Sequence, residues 1–250
     1  MPAELRATAL GRVPYLDAWR LQEAVAARLS AGGPERLLLL EHDPVYTIGR
    51  RGTLDHLTAS PADLRAAGAT AYRVDRGGDI TYHGPGQLVG YPIVALGDAP
   101  DVVAYVRALE EALRATIADL GVTSRTIEGK TGVWVDVRDG ASRRAAKVAA
   151  IGVRVSRGIT RHGFALNVDV DLAAFDRMIP CGFAHEVASL RRLGVDATVA
   201  EVTGVCGARV AEHLGRDLVW DAAVAPPRDG EIPANAPVGA AEDLLAATAA

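Results

Sequence analysis

The chain has 250 residues, 49% of them hydrophobic and 23% charged, and a formal net charge of −4. That balance belongs to an ordinary globular protein with a well-buried core and excludes disorder as the dominant state. The acidic total also argues against non-specific nucleic-acid binding as the main activity, because that requires a basic surface to replace phosphate counterions.

In chain order, residues 14–32 carry Leu16, Trp19, Val25 and Leu29 at helical spacing before Gly32-Gly33-Pro34, which predicts an amphipathic helix with a stop. Residues 37–41 and 45–48 read as short strands. Ser60-Pro61 predicts the cap and first turn of a brief helix reaching Gly68. Three strands are expected over 71–75, 79–83 and 88–96, threaded by glycine-rich loops. Residues 101–120 give the clearest helix, with Val102, Tyr105, Val106, Leu109, Leu113, Ile117 and Leu120 on one face and Gly121 as its C-terminal stop. A long hairpin is expected from 133–137 through the Asp139-Gly140 turn to 147–156, then a strand over 163–168. A short helix over 172–178 ends at Pro180, and 198–214 reads as a last core helix. Regular strand-helix alternation is missing, so the expected class is α+β, a mixed central sheet flanked by helices in one catalytic domain over 1–220. Residues 221–250, rich in Ala and Pro, read as a flexible tail.

The run Arg76-Gly77-Gly78-Asp79-Ile80-Thr81-Tyr82-His83-Gly84-Pro85-Gly86-Gln87 interrupts two strands with four glycines and a proline. A pair of tight turns would explain the glycines, which supply positive φ or let main chain approach something closely. The polar residues crowded among them favour a loop that both turns and binds. Only two cysteines occur, too few for a disulfide framework or a four-ligand metal site, so a reducing compartment is expected. Cys206 sits at helical spacing among apolar neighbours and reads as an inert small hydrophobe. Cys181, between Pro180 and Gly182, sits on a bend, and structural and nucleophilic readings both stay open for it. Of 27 basic residues only Lys130 and Lys147 are lysine. Lys130 reads as chance survival. Lys147 lies in an apolar strand, where desolvation would lower its pKa toward the range useful for proton transfer, or where it could simply reach water from a sheet edge. The pairs Arg50-Arg51, Arg143-Arg144 and Arg191-Arg192 read as solvated surface, with docking of an acidic partner the lesser reading. His162 reads as a satisfied core histidine rather than a site wall. Gly129-Lys130-Thr131 fails as a phosphate loop because Ser124 stands where glycine is required, and His185-Glu186 has Ser189 where a zinc site needs histidine. Neither a charged start followed by an apolar run nor a membrane-length span is present, so a cytoplasmic protein is expected.

Five blocks in one order resemble the lipoyl(octanoyl) transferases: HDPVYTIGRRG (42–52), RGGDITYHGPGQLVGYPI (76–93), KVAAIGVRV (147–155), HGFALNVDVDL (162–172) and IPCGF (179–183). The resemblance implies the fold shared by biotin and lipoate protein ligases. It implies transfer of an octanoyl group from acyl carrier protein to a lysine of lipoyl domains, in the E2 subunits of 2-oxoacid dehydrogenases and the glycine cleavage H protein, as the first step of endogenous lipoylation. On this likeness Cys181 is the nucleophile and Lys147 its partner. The substrate segments are Arg76, Gly77, Gly78, Asp79, Ile80, Thr81, Tyr82 and His83, then Ala150, Ile151 and Gly152, then Gly163, Phe164 and Ala165. No cofactor, metal, nucleic acid or membrane is implied, since converting a thioester to an amide is downhill without ATP. The amides of Gly78 or Gly182 and the His83 ring are candidates for holding the oxyanion. The alternatives are an ATP-dependent lipoate or biotin ligase, which would not need Cys181, and a non-catalytic acyl-binding protein.

Overall fold

The computed structural model describes residues 3–139, 142–179 and 186–221. Its frame is a mixed sheet buried on both faces. Strand β2 (Glu35–Glu41) shows why: its leucine run sends Leu37 and Leu39 into one apolar cluster and Leu38 and Leu40 into the other. A strand covered on both sides reads as a continuous apolar run rather than an alternating one.

Helices α3 (Val102–Asp119) and α4 (Val199–His213) cover one face, and α1 (Tyr15–Ser30) covers the other. The starts of α3 and α4 are locally encoded. Asp101 accepts the Ala104 amide at the head of α3, while Thr198 and Glu201 form a reciprocal capping box for α4. Ser60 and Asp63 do the same for α2 (Pro61–Ala66). Strand order in the main sheet is β12 (Arg216–Trp220), β1 (Ala3–Arg12), β2, β6 (Gln87–Ile93), β10 (Ile159–Asn167), β9 (Ser142–Ser156), β8 (Lys130–Asp139) and β7 (Arg125–Ile127), with β11 (Glu186–Val187) paired to β9. A smaller sheet, β4 (Thr70–Arg73), β3 (Val45–Ile48) and β5 (Ile80–His83), has its own core of Tyr46, Ile48, Leu64, Tyr82 and Met178.

The α+β class holds, and the long expected helices and the hairpin form. Four strands were not legible: β1, β7, β11 and β12. The ends β1 and β12 pair in parallel with each other, and β1 also pairs with β2, so their register depends on partners more than 20 residues away. Residues Leu172–Arg177 form a 3-10 helix capped by Asp171. Val102, expected on the buried face of α3, lies at its first turn and is exposed with Val103. The tail after residue 221 and the expected stop at Pro180 lie outside the described residues.

Candidate active site

Between β9 and β10 on one side and the residue 76–83 loop on the other lies a chamber of about 1020 Å³. Small residues make the room. Ala150, Gly152, Gly163 and Ala165 line it, and the loop is drawn onto β9 by the hydrogen bond from Gly77 N to Val153 O, 2.9 Å. A Cβ at Gly152 would stand 2.9 Å from Gly77 O, and one at Gly163 would stand 2.1 Å from Gly90 O. The glycines therefore serve close main-chain approach. Arg76 locks the loop: its guanidinium donates to Thr47 O at 2.6 Å, Thr47 Oγ1 at 2.9 Å and Gly77 O at 3.0 Å. Asp79 accepts from Ile80 N at 2.7 Å and from His56 Nδ1 at 2.9 Å.

Lys147 reaches this chamber because of a register shift. Val133 pairs with Ala149 but Trp134 pairs with Lys147, so Val148 is an extra residue in β9. After the bulge Ala149, Ile151 and Val153 point to the α3–α4 core, and before it Ala146 does. The phase flips, which aims Lys147 to the same side as Ala150 and Gly152. Its Nζ lies 4.7 Å from the centroid of the Trp134 ring, and Lys130 Nζ lies 5.7 Å from the same ring. Gly132, at φ 118°, leaves the space that the Lys147 stem fills, and its amide donates to the fully buried Glu110 at 2.9 Å. Gly132, Trp134 and Glu110 escaped the sequence reading. Only the glycine inside a strand pattern could have flagged a bulge or close approach nearby.

The loop residues divide. Arg76, Gly77, Gly78, Asp79, Ile80, Thr81 and His83 line the chamber, as do Ile151 and Phe164. Tyr82 does not; it packs on Tyr46 and Phe175 in the small-sheet core, where burial pushes its hydroxyl up to about 12. His83 is buried, and its Nδ1 lies 2.7 Å from Gln87 Oε1. The Gln87 amide cannot be turned over, because its Nε2 donates to Tyr82 O at 3.2 Å and to Asn167 Oδ1 at 2.9 Å, while Asn167 Nδ2 donates to Ala188 O at 2.9 Å. Nδ1 of His83 therefore carries the proton. Burial first, and the neighbouring His42 next, hold the ring neutral far below its ordinary range. Its Nε2 is then a lone-pair acceptor, which removes the neutral His83 ring from the candidates for stabilising an oxyanion.

His162 is buried with a partner, as expected, but against expectation it is also part of the chamber wall. It has φ 55°, and its Nε2 lies 2.7 Å from Asp75 Oδ1. Burial would raise the Asp75 carboxyl, but the His162 hydrogen bond and the Arg161 guanidinium outweigh it and hold the group at about 2. The His162 ring is pushed down by burial despite Asp75. His42 donates from Nδ1 to Val13 O at 2.8 Å and accepts the Tyr91 hydroxyl at Nε2 at 2.7 Å, with burial lowering it to about 4.

Cys206 is fully buried in α4, and burial pushes its thiol up to about 12. Cys181, with Gly182, lies outside the described residues; just beyond them Val187 of β11 pairs with Lys147. Arg191 pairs with Asp169 and Asp196, and Arg192 with Glu186, as solvated surface groups do. Among the described residues no helix is long and apolar enough to cross a membrane.

The family model for the lipoyl protein ligase A/B catalytic domain matches residues 14–211. A protein of Mycobacterium sp. (strain KMS) named octanoyltransferase is 50% identical over 215 residues, 85% of this chain and 86% of its own. The protein of that name from Mycolicibacterium smegmatis is 46% identical over 232 residues, 93% of this chain and 92% of its own. Among solved structures, a lipoate-protein ligase A bound with ATP matches with a TM-score of 0.70 at 19% identity, covering 90% of both chains. The bipartite lipoate protein ligase of Thermoplasma acidophilum, described with its E2 lipoyl domain, matches with a TM-score of 0.71 at 19% identity, over 89% of this chain and 88% of that one. At such identity the solved structures speak for the fold alone.

Proposed function

The chain belongs to the lipoyl protein ligase A/B catalytic-domain family and is an acyltransferase, and from that premise we propose that it passes an octanoyl group from acyl carrier protein to a lysine of a lipoyl domain through a thioester on Cys181. The observation that carries this reading is the bulge at Val148, which turns a lysine into a chamber walled by glycine and alanine, beside relatives named octanoyltransferase at about 50% identity. A chamber of small residues suits a saturated chain, each buried methylene of which contributes about 0.8 kcal/mol.

In this reading Cys181 thiolate attacks the carrier thioester, the carbon–sulfur bond to the carrier breaks, and Lys147 gives the departing thiol its proton. The neutral amine of the acceptor lysine then attacks the acyl-enzyme, Lys147 takes back a proton, and Cys181 leaves as thiolate. Acceptors would be the lipoyl domains of 2-oxoacid dehydrogenase E2 subunits and the glycine cleavage H protein, met in the cytoplasm. Residues 1–220 form the catalytic unit.

Intact-mass measurement after mixing the protein with octanoyl-carrier tests it. One added octanoyl group, absent in Cys181→Ser and discharged by a lipoyl domain, is the expected result. Acylation of the lipoyl domain that requires ATP and free acid, and persists in Cys181→Ser, would replace it with a ligase.

A further inference from the structure

His56 holds two separate pieces of the chamber wall at once. Its Nδ1 donates to the buried Asp79 carboxylate, 2.9 Å from Oδ1 and 2.7 Å from Oδ2, and its main-chain carbonyl accepts the Ile179 amide at 2.8 Å. The first bond reaches the residue 76–83 loop. The second reaches the stretch that leads into Cys181, since Ile179 stands two positions before that residue. Around it Leu57 bridges Met178, and Thr58 N donates to Arg177 O at 2.9 Å, so residues 56–58 and 177–179 form a short antiparallel ladder. His56, Asp79 and Met178 all line the chamber.

The turn that carries His56 cannot fix its own place. Residues Leu54–His56 are a single 3-10 turn, closed by Leu57 N on Leu54 O at 2.9 Å and by a longer bond, 3.3 Å, from His56 N to Thr53 O, and such turns have poor hydrogen-bond geometry. Its position is set by what it touches. On the loop side the fit is prepared: a Cβ at Gly52 would stand 2.7 Å from Asp79 Oδ1, so glycine there leaves room for the carboxylate. The amides of Gly49 and Arg51 donate to Asp79 O at 3.0 Å and Gly78 O at 3.1 Å, which lays the two loops side by side. Beyond Ile179 the next described residue is Glu186, paired with Ala146 of β9. Cys181 is two positions from Ile179 and five from Glu186. Its nearer hold is the one that runs through His56.

We propose that His56 is a positioning residue that ties the residue 76–83 loop to the segment entering Cys181, so that an acyl chain lying against the loop tightens the hold on the nucleophile. What Cys181 and the loop do rests on the acyl-transfer reading; the link between them does not. A ligand that favours the docked loop also favours whatever is bonded to the loop in that state. The loop keeps its place without the histidine, through Arg76 on Thr47 and Gly77 on Val153. Loss of His56 should therefore spare binding of the chain and slow its reaction, because a misplacement of about 1 Å costs on the order of 10²-fold in rate.

Wild type is compared with His56→Ala and with His56→Asn, whose side-chain amide can donate to Asp79 from near the position of Nδ1. Hydrogen exchange reads the Ile179 amide with and without octanoate, and rapid-quench intact mass reads acyl-enzyme formation from octanoyl-carrier. In wild type octanoate should slow exchange at Ile179. In His56→Ala exchange should be fast with or without octanoate, and the maximal rate of acyl-enzyme formation should fall about tenfold to a hundredfold at unchanged half-saturation by the carrier. His56→Asn should restore both. Exchange at Ile179 that ignores octanoate in wild type overturns the link, and that measurement decides the matter even where the alanine variant fails to fold. Half-saturation that rises with the maximal rate preserved overturns it too, as does an asparagine variant as slow as alanine, which would make the ring a proton carrier rather than a tie. If Ile179 responds as expected but no adduct forms on Cys181, acyl transfer falls and the link stands. If the adduct forms as fast in His56→Ala as in wild type, the link falls and acyl transfer stands.

Discussion

The Lys147 ammonium stands 4.7 Å from the centroid of the Trp134 indole, on the strand that pairs with its own. A cation over a ring face is held by the ring quadrupole, so the indole fixes where the charge sits without taking its proton. Under the lysine stem a Cβ at Gly132 would come 3.4 Å from Cε. The site is built around a slim, flexible ammonium.

Lys147→Arg preserves charge but cannot exchange a proton near neutrality. We predict that transfer falls by about 10²–10⁴ while the Cys181 thiol still reacts with iodoacetamide, because general acid–base catalysis is typically worth that much. Near wild-type transfer in a single-turnover assay would reduce Lys147 to an electrostatic partner.

Gly77 in the chamber wall and Gly90 in β6 give opposite outcomes. Gly77 has no positive φ, and a Cβ there meets only Val153 O at 3.3 Å, so Gly77→Ala should fold and weaken octanoate binding several-fold by narrowing the gap to β9. Gly90→Ala would thrust a methyl to 2.1 Å from Phe164 Cζ in the middle of the main sheet. Overpacking of this kind is destabilising by about 1–3 kcal/mol, to be read from urea unfolding. Gly78, at φ 89°, is a poorer probe, since any side chain there strains the backbone whatever the ligand does.

Acid should unfold the protein early. An unfolded histidine binds a proton near 6.5, whereas the folded His42 ring stays neutral down to about 4. Over that window the unfolded state holds more protons, so stability is full above 6.5 and falls as pH drops toward 4. His83 and His162 are lowered too and act with the same sign, steepening the fall. His42 alone contributes on the order of 3 kcal/mol at neutral pH. Urea midpoints measured from pH 7.5 to 4 should decline, and the decline should flatten in His42→Gln; parallel curves would show that His42 titrates alike in both states.

Alkylation separates the thiols. Cys206 is fully buried with its thiol raised to about 12, so folded protein treated with iodoacetamide should leave Cys206 unlabelled while unfolded protein is labelled at both cysteines. Labelling of Cys206 at native rates would mean that α4 opens locally.

Elements with their own periodicity, α1, α3 and α4, the last two also capped, were legible, as was the hairpin of β8 and β9. The strands β1, β7, β11 and β12 were not, because their short or polar runs become sheet only through the strands they pair with. At the site, the glycines and Lys147 stood out by composition. Sequence could not show that Tyr82 turns away while His83 turns in, because alternation along β5 tells which residues share a face but not which face meets the chamber. Nor could it give the direction of the His83 proton, which depends on Gln87, Asn167 and the Ala188 carbonyl, over 100 residues along the chain. The bulge at Val148 was equally hidden, since no residue type announces one extra position in an apolar strand.

Strands β2 and β6 are hydrogen-bonded neighbours, and Glu41 at the end of one accepts the Gly86 amide at the start of the other at 2.6 Å. Everything between them, including the small sheet and the loop that covers the chamber, is one excursion that leaves and re-enters the main sheet at adjacent points. Lys147 belongs to strands outside it. The chamber therefore has two walls from separate stretches of chain: residues 42–86 can shift or be exchanged as a unit against β9 and β10 without disturbing the register that places Lys147.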